Sequence, residues 1–140
     1  RRELHRIPEV GLQLPETQAA VLRALDGLPL EVTLGETVTS VVGVLRGGRP
    51  TEGKRPVVLL RADMDALPVE ELTGLDYAAA NGNMHACGHD MHVTAMLGAL
   101  ERLIAALARV GQEEAEPLIE AHRREAVDLA AAEVMRIQAG

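Results

Sequence analysis

The sequence predicts an α/β fold, a sheet with helices on both faces followed by a helical C-terminal tail. Three observations carry this expectation. The runs "TSVVGVLRG" and "RPVVLLRAD" have the Val- and Leu-rich composition of strands. The longer segments "PETQAAVLRALDG" and "HDMHVTAMLGALERLIAALARV" space their apolar residues at helical period. Val57, Val58, Leu59 and Leu60 form an unbroken apolar run, the pattern of a strand buried on both faces.

Taken in order, "RRELHRIPEVG" opens with a short polar helical turn that Pro8 stops. Pro15 suits the first turn of a second helix, Glu16 suits its positive end, and Gly27 suits its stop. Ala20, Leu22 and Leu25 give that helix an apolar side. "LEVTLGE" reads as a strand. Strands over 39–46 and 55–62 flank the Gly/Pro turn "GRPTEGK", which predicts a hairpin. The loop "ADMDALPVEE" then leaves the carboxyl end of a strand, where open α/β sheets carry their sites. A second loop, "TGLDYAAANGNMHACG", leads into a helix over 89–109 that Gly111 ends, and the remainder reads as one more helix from near Pro117.

Composition narrows the function classes. The 140 residues suit one core. Against 14 Lys+Arg stand 21 Asp+Glu, a net charge of -7, which disfavours a nucleic-acid partner. Tyr77 is the single aromatic residue, so bases have no platform to stack on. No apolar run approaches the roughly 20 residues that cross a bilayer, and no signal peptide is visible. Cys87 has no second cysteine to pair with, which fits a reducing, cytoplasmic setting.

Chemistry concentrates in "MHACGHDMH", Met84 to His92, with His85, Cys87, His89 and His92. Thiolate and imidazole are good ligands for zinc and similar divalent ions, and Asp63 or Asp65 at the preceding strand end can add oxygen. A second reading makes Cys87 a nucleophile, since a helix N-terminus lowers a thiol pKa and a histidine can act as base. A third makes Cys87 a small buried hydrophobe and the histidines local hydrogen-bonding groups. The spacing of C-G-H fits two ligands on one ion at least as well as a nucleophile and its base.

"LHRIPEVGLQLPET", "VVLLRADMDALPVEE" and "MHACGHDMHVTAMLGA" closely resemble three successive motifs of the M20 metallopeptidase family, in its amidohydrolase branch with hippurate hydrolases and N-acyl-amino-acid amidohydrolases. The resemblance runs from about Arg1 to Ala106. It implies that residues 1–110 are the N-terminal part of a catalytic domain, that Cys87 and His89 are metal ligands, and that Asp65 stands in the place of the superfamily's orienting aspartate, while Asp63 replaces a ligand histidine. It implies a divalent ion, manganese, zinc, cobalt or nickel. The implied reaction is hydrolysis of the amide bond of small N-acyl-amino-acids, hippurate-like ones among them, by a metal-activated water. The implied partners are that substrate and, through an exposed sheet edge, a second copy as a homodimer; neither nucleic acid nor membrane is expected.

The pattern stops after the long helix. The family places a Glu-Glu pair, base and ligand, behind a further strand, then two later histidines and a lid domain. Here Glu113 and Glu114 come sooner and follow no strand, and His122 lies on the last predicted helix. Residues 111–140 therefore read as a helical tail that departs from the family. The alternative to an amidohydrolase is a catalytically inactive remnant that binds metal weakly or serves in association.

Overall fold

The computed structural model describes residues 1–47 and 57–110. Its elements are α1 (Arg2–Arg6), α2 (Pro15–Leu25), β1 (Glu31–Leu34), β2 (Val41–Val44) and α3 (His89–Val110). The α/β class holds, with a small antiparallel sheet and helices.

Each helix ends where local chemistry stops it. Helix α1 runs out at Ile7, just before Pro8. Glu3 sits in its first turn, with His5 and Arg6 in its last, as the helix dipole favours. In α2, Pro15 occupies the first turn, and Leu14 at the cap position supplies no side-chain acceptor. The cap comes from outside the helix: the Glu9 carboxylate accepts the Glu16 N–H at 3.1 Å and the Thr17 N–H at 2.8 Å. Past its other end Gly27 takes a φ of +73°, which a side chain would strain.

Strands β1 and β2 pair antiparallel, from Glu31 opposite Val44 to Leu34 opposite Val41. Arg46 grips Glu31 across this hairpin with two bonds, 2.6 and 2.9 Å long. The core is aliphatic, as the scarcity of aromatics requires. Leu4, Ala20, Val21, Leu25 and Val93 form it, with Ile7, Leu30, Val41, Met64 and Leu97 packed against it. It thus joins α1, α2 and the second turn of α3.

Two strand expectations need correction. Residues 57–60 lie in no strand, and they are not buried on both faces: Val57, Val58, Leu59 and Leu60 are 59%, 83%, 69% and 51% exposed. Residues 55 and 56 lie outside the described part, so the hairpin of 39–46 with 55–62 is not formed among the described residues, and β2 takes β1 as its partner instead. The reason is physical. Composition makes a segment fit for a sheet, but a strand exists only when another edge completes its backbone hydrogen bonds. The predicted helix from near Pro117, Gly111, Glu113, Glu114 and His122 also lie outside the described residues. No described helix is long and apolar enough to cross a membrane.

Candidate metal centre

Three separated stretches of chain meet at the start of α3, held mainly by backbone bonds. The Glu9 carbonyl accepts the Ala66 N–H at 2.7 Å. The Pro8 carbonyl accepts the side-chain amides of Asn81 and Asn83 at 3.0 and 3.2 Å. Leu67 and Met84 exchange both backbone bonds, each 3.0 Å, in an isolated antiparallel bridge. That bridge ties the loop carrying Asp63 and Asp65 to the loop that enters "HACGH".

The motif itself is a turn followed by a helix start. The Gly88 N–H donates to the His85 carbonyl at 3.1 Å, closing a four-residue turn with Cys87 at its third position. Gly88 has a φ of +77° and no side chain to strain there. Its carbonyl accepts the Met91 and His92 N–H groups at 2.9 and 3.1 Å, so α3 begins directly at His89. The turn leaves Cys87 as a free, exposed thiol. The reading of Cys87 as a buried hydrophobe therefore does not describe this chain.

His89 is held by Asp65. Its Nδ1 lies 2.8 Å from the Asp65 carbonyl oxygen and 2.9 Å from the Asp65 Oδ1. Both atoms only accept, so Nδ1 carries the hydrogen, and in the neutral ring Nε2 keeps its lone pair. An imidazole in this tautomer, oriented by a carboxylate, is the form a metal-ligating histidine takes. A thiol and an imidazole fit a zinc-like divalent ion. Among the described residues no group of three or more His, Cys, Asp or Glu is arranged to hold an ion, so Cys87 and His89 do not complete a site there. Asp63 turns away to Arg61, 2.7 Å from its guanidinium. The His92 ring lies 5.4 Å from that of His89, centre to centre.

A second cluster, which spacing does not reveal, lies directly behind. His5 is buried, with Nδ1 2.8 Å from Asp90 Oδ2 and Nε2 3.0 Å from Glu71 Oε1. Arg1 adds a 2.6 Å ion pair to the same Asp90 oxygen, and the Asp90 side chain is wholly buried. The Tyr77 ring meets the His5 ring edge-on at 5.4 Å. Glu71 gathers the Thr73 hydroxyl and the Ala79 N–H as well as His5, and these bonds hold its carboxyl down at about 2 despite its desolvation. His85 is buried beside His5, ring centres 6.3 Å apart, and burial holds its pKa below the ordinary imidazole value. His5 and Asp90 both stand inside the motifs "LHRIPEVG" and "HACGHD", next to more conspicuous neighbours; nothing in the spacing says that they touch.

Comparison with known proteins converges on one family. Residues 59–119 match the model described as peptidase family M20/M25/M40. Over 103 residues the chain is 43% identical to an N-acetyldiaminopimelate deacetylase of Lactococcus lactis subsp. cremoris, which covers 74% of this chain and 27% of that protein. Over 110 residues it is 42% identical to the protein of the same name from Streptococcus gordonii, covering 76% and 28% of the two. The crystal structure of the Bacillus subtilis YXEP protein, described as a dinuclear metal-binding peptidase of the M20 family, superimposes with a TM-score of 0.67 at 35% identity, over 76% of this chain and 29% of that one. The chain thus spans about a quarter of the length of the curated relatives it matches.

Proposed function

Because the chain belongs to the M20 family of peptidases and amidohydrolases, we propose that it supplies the first two ligands, Cys87 and His89, of a metal centre that hydrolyses the amide bond of small N-acyl-amino-acids. The observation that carries this reading is the His89–Asp65 contact beside the Cys87 turn, which orients an imidazole two residues from an exposed thiol in one short motif. Asp65 acts as the orienting carboxylate. It fixes the tautomer and the orientation of the His89 ring. Gly88 lets the chain turn between the two ligands. A bound divalent ion supplies Lewis-acid polarisation and an acidified water.

The relatives are named for deacetylation of N-acetyldiaminopimelate rather than for hydrolysis of hippurate. That substrate is itself an N-acyl-amino-acid. An acetylated diamino acid therefore becomes the favoured substrate within the class, ahead of the benzoyl compound.

Metal analysis of chain purified without chelator tests the ligand assignment. Divalent metal is expected in the native chain and lost in Cys87→Ala. Full occupancy in both Cys87→Ala and His89→Ala would remove the proposal. Activity of these 140 residues alone is expected near background. General acid–base help contributes ~10²–10⁴ in rate, and the described residues bring no third donor group to this site. Incubation with N-acetyldiaminopimelate, hippurate and other N-acetyl-amino-acids plus Mn²⁺, Zn²⁺ or Co²⁺ checks this. Turnover that vanishes in Cys87→Ala would instead direct attention to Glu113 or Glu114 as base, through Glu113→Gln and Glu114→Gln.

A further inference from the structure

We infer that His5, 82 residues before Cys87 in the sequence, is a positioning residue for the metal centre, acting through Asp90 to fix the first turn of α3 and with it His89. The inference rests on the reading of Cys87 and His89 as ligands, and it adds a residue to which that reading gives no role.

The geometry is a pair of interlocked contacts at consecutive residues. At His89 a helix imidazole donates to a loop carboxylate, Asp65. At Asp90 a helix carboxylate accepts from an imidazole, His5, that belongs to α1. The two bonds run in opposite donor directions and tie the start of α3 to two different segments. Residues 89 and 90 are consecutive in the first turn of α3, so both contacts bear on the placement of the same short piece of backbone.

His5 suits this task because it is itself held from the far side. Its Nε2 lies 3.0 Å from Glu71 Oε1, and its Nδ1 lies 2.8 Å from Asp90 Oδ2 and 3.2 Å from the Arg1 guanidinium, so the ring is held at both nitrogens. Glu71 in turn is fixed by the Thr73 hydroxyl and the Ala79 N–H. Tyr77 closes one edge of the imidazole. Asp90 is wholly buried, with His5 and Arg1 as its counter-groups, and a buried carboxylate that loses a partner moves toward water or toward another donor. The movement would displace His89, its neighbour. Partners one layer out from a metal ligand commonly alter affinity by ~10–100-fold.

Two substitutions separate positioning from mere packing. In His5→Asn the amide nitrogen falls near the place of Nδ1, so the bond to Asp90 survives and that to Glu71 is lost. In His5→Gln the amide reaches toward Glu71 and the bond to Asp90 is lost. The readouts are the His89 ring tautomer by ¹⁵N NMR of the whole chain without metal, and the cobalt(II) absorption spectrum and affinity, with circular dichroism to confirm folding. The native chain and His5→Asn are expected to hold the Nδ1–H tautomer. His5→Gln is expected to relax to a tautomer mixture and to bind cobalt about 10-fold more weakly, with an altered spectrum. Should His5→Gln not fold, Asp90→Asn weakens the same bond and is expected to give the same changes. A folded His5→Gln or Asp90→Asn with the native tautomer, spectrum and affinity overturns the inference. Cobalt spectra without a thiolate band in the native chain would count against Cys87 as ligand and leave the tautomer comparison to judge His5.

Discussion

The start of α3 and the run from Val57 to Leu60 lie within one stretch of 34 residues, yet they are built on opposite terms. Around α3 the buried charge of Asp90 is answered by Arg1 and His5, and the polar groups of His5 are answered by Asp90 and Glu71. At 57–60 four apolar side chains face solvent. His5, Glu71 and one oxygen of Asp90 find their partners inside the described chain, although Asp90 Oδ1 and both His85 ring nitrogens do not, whereas the apolar run stays in solvent. A burial pattern in a sequence states what a segment needs, and only the rest of the molecule decides whether the need is met.

The largest expected effect breaks or upholds the first half of that contrast. Asp90→Ala leaves His5 and Arg1 without their buried acceptor and should cost about 3–5 kcal/mol in urea unfolding. A cost below ~1 kcal/mol would mean that the cluster is decorative. A middle-sized effect follows from Glu71, whose carboxyl is held at about 2 instead of 4.5, chiefly by the Thr73 hydroxyl and the Ala79 N–H. In that window the unfolded chain binds the extra proton, so the stabilisation is complete above 4.5 and is lost as pH falls toward 2. Glu71→Gln should flatten this acid limb relative to the native chain; superimposable pH profiles would detach Glu71 from the cluster's stability. The smallest effect lies in the other region. Leu59→Lys should change stability by less than ~0.5 kcal/mol, since the side chain is already in water. A loss above ~1 kcal/mol would show that the run packs against something after all.

The same contrast explains what the sequence made legible. Helices α2 and α3 could be placed closely because their signals are local: Pro15 and Glu16 at one start, Gly27 past one end, and apolar residues three and four apart. Cys87 and His89 stood out because a thiol and an imidazole two residues apart are unusual. The Asp65–His89 contact was half visible, as an acidic residue at the end of a strand-like run. Residues 57–62 form no strand: their Val and Leu content reports suitability for a sheet and says nothing of which edge is available. Glu9 as the cap of α2 and His5 as the partner of Asp90 were not legible at all. Each acts on a segment that no local rule connects to it, and each is flanked by residues with stronger local signals.

The separation between those two hidden partners also sets an order in time. Glu9 reaches Glu16 and Thr17 across 7 and 8 residues, while His5 reaches Asp90 across 85. Closing the longer loop costs more chain entropy, by about (3/2)RT times the logarithm of the length ratio, and on a ribosome the C-terminal partner of the longer bond is simply made later. A nascent chain that has emerged only as far as α2 can already cap that helix. It cannot yet orient His89. The arrangement around the start of α3 is therefore a late acquisition during synthesis, complete only when Asp90 meets a His5 made 85 residues earlier.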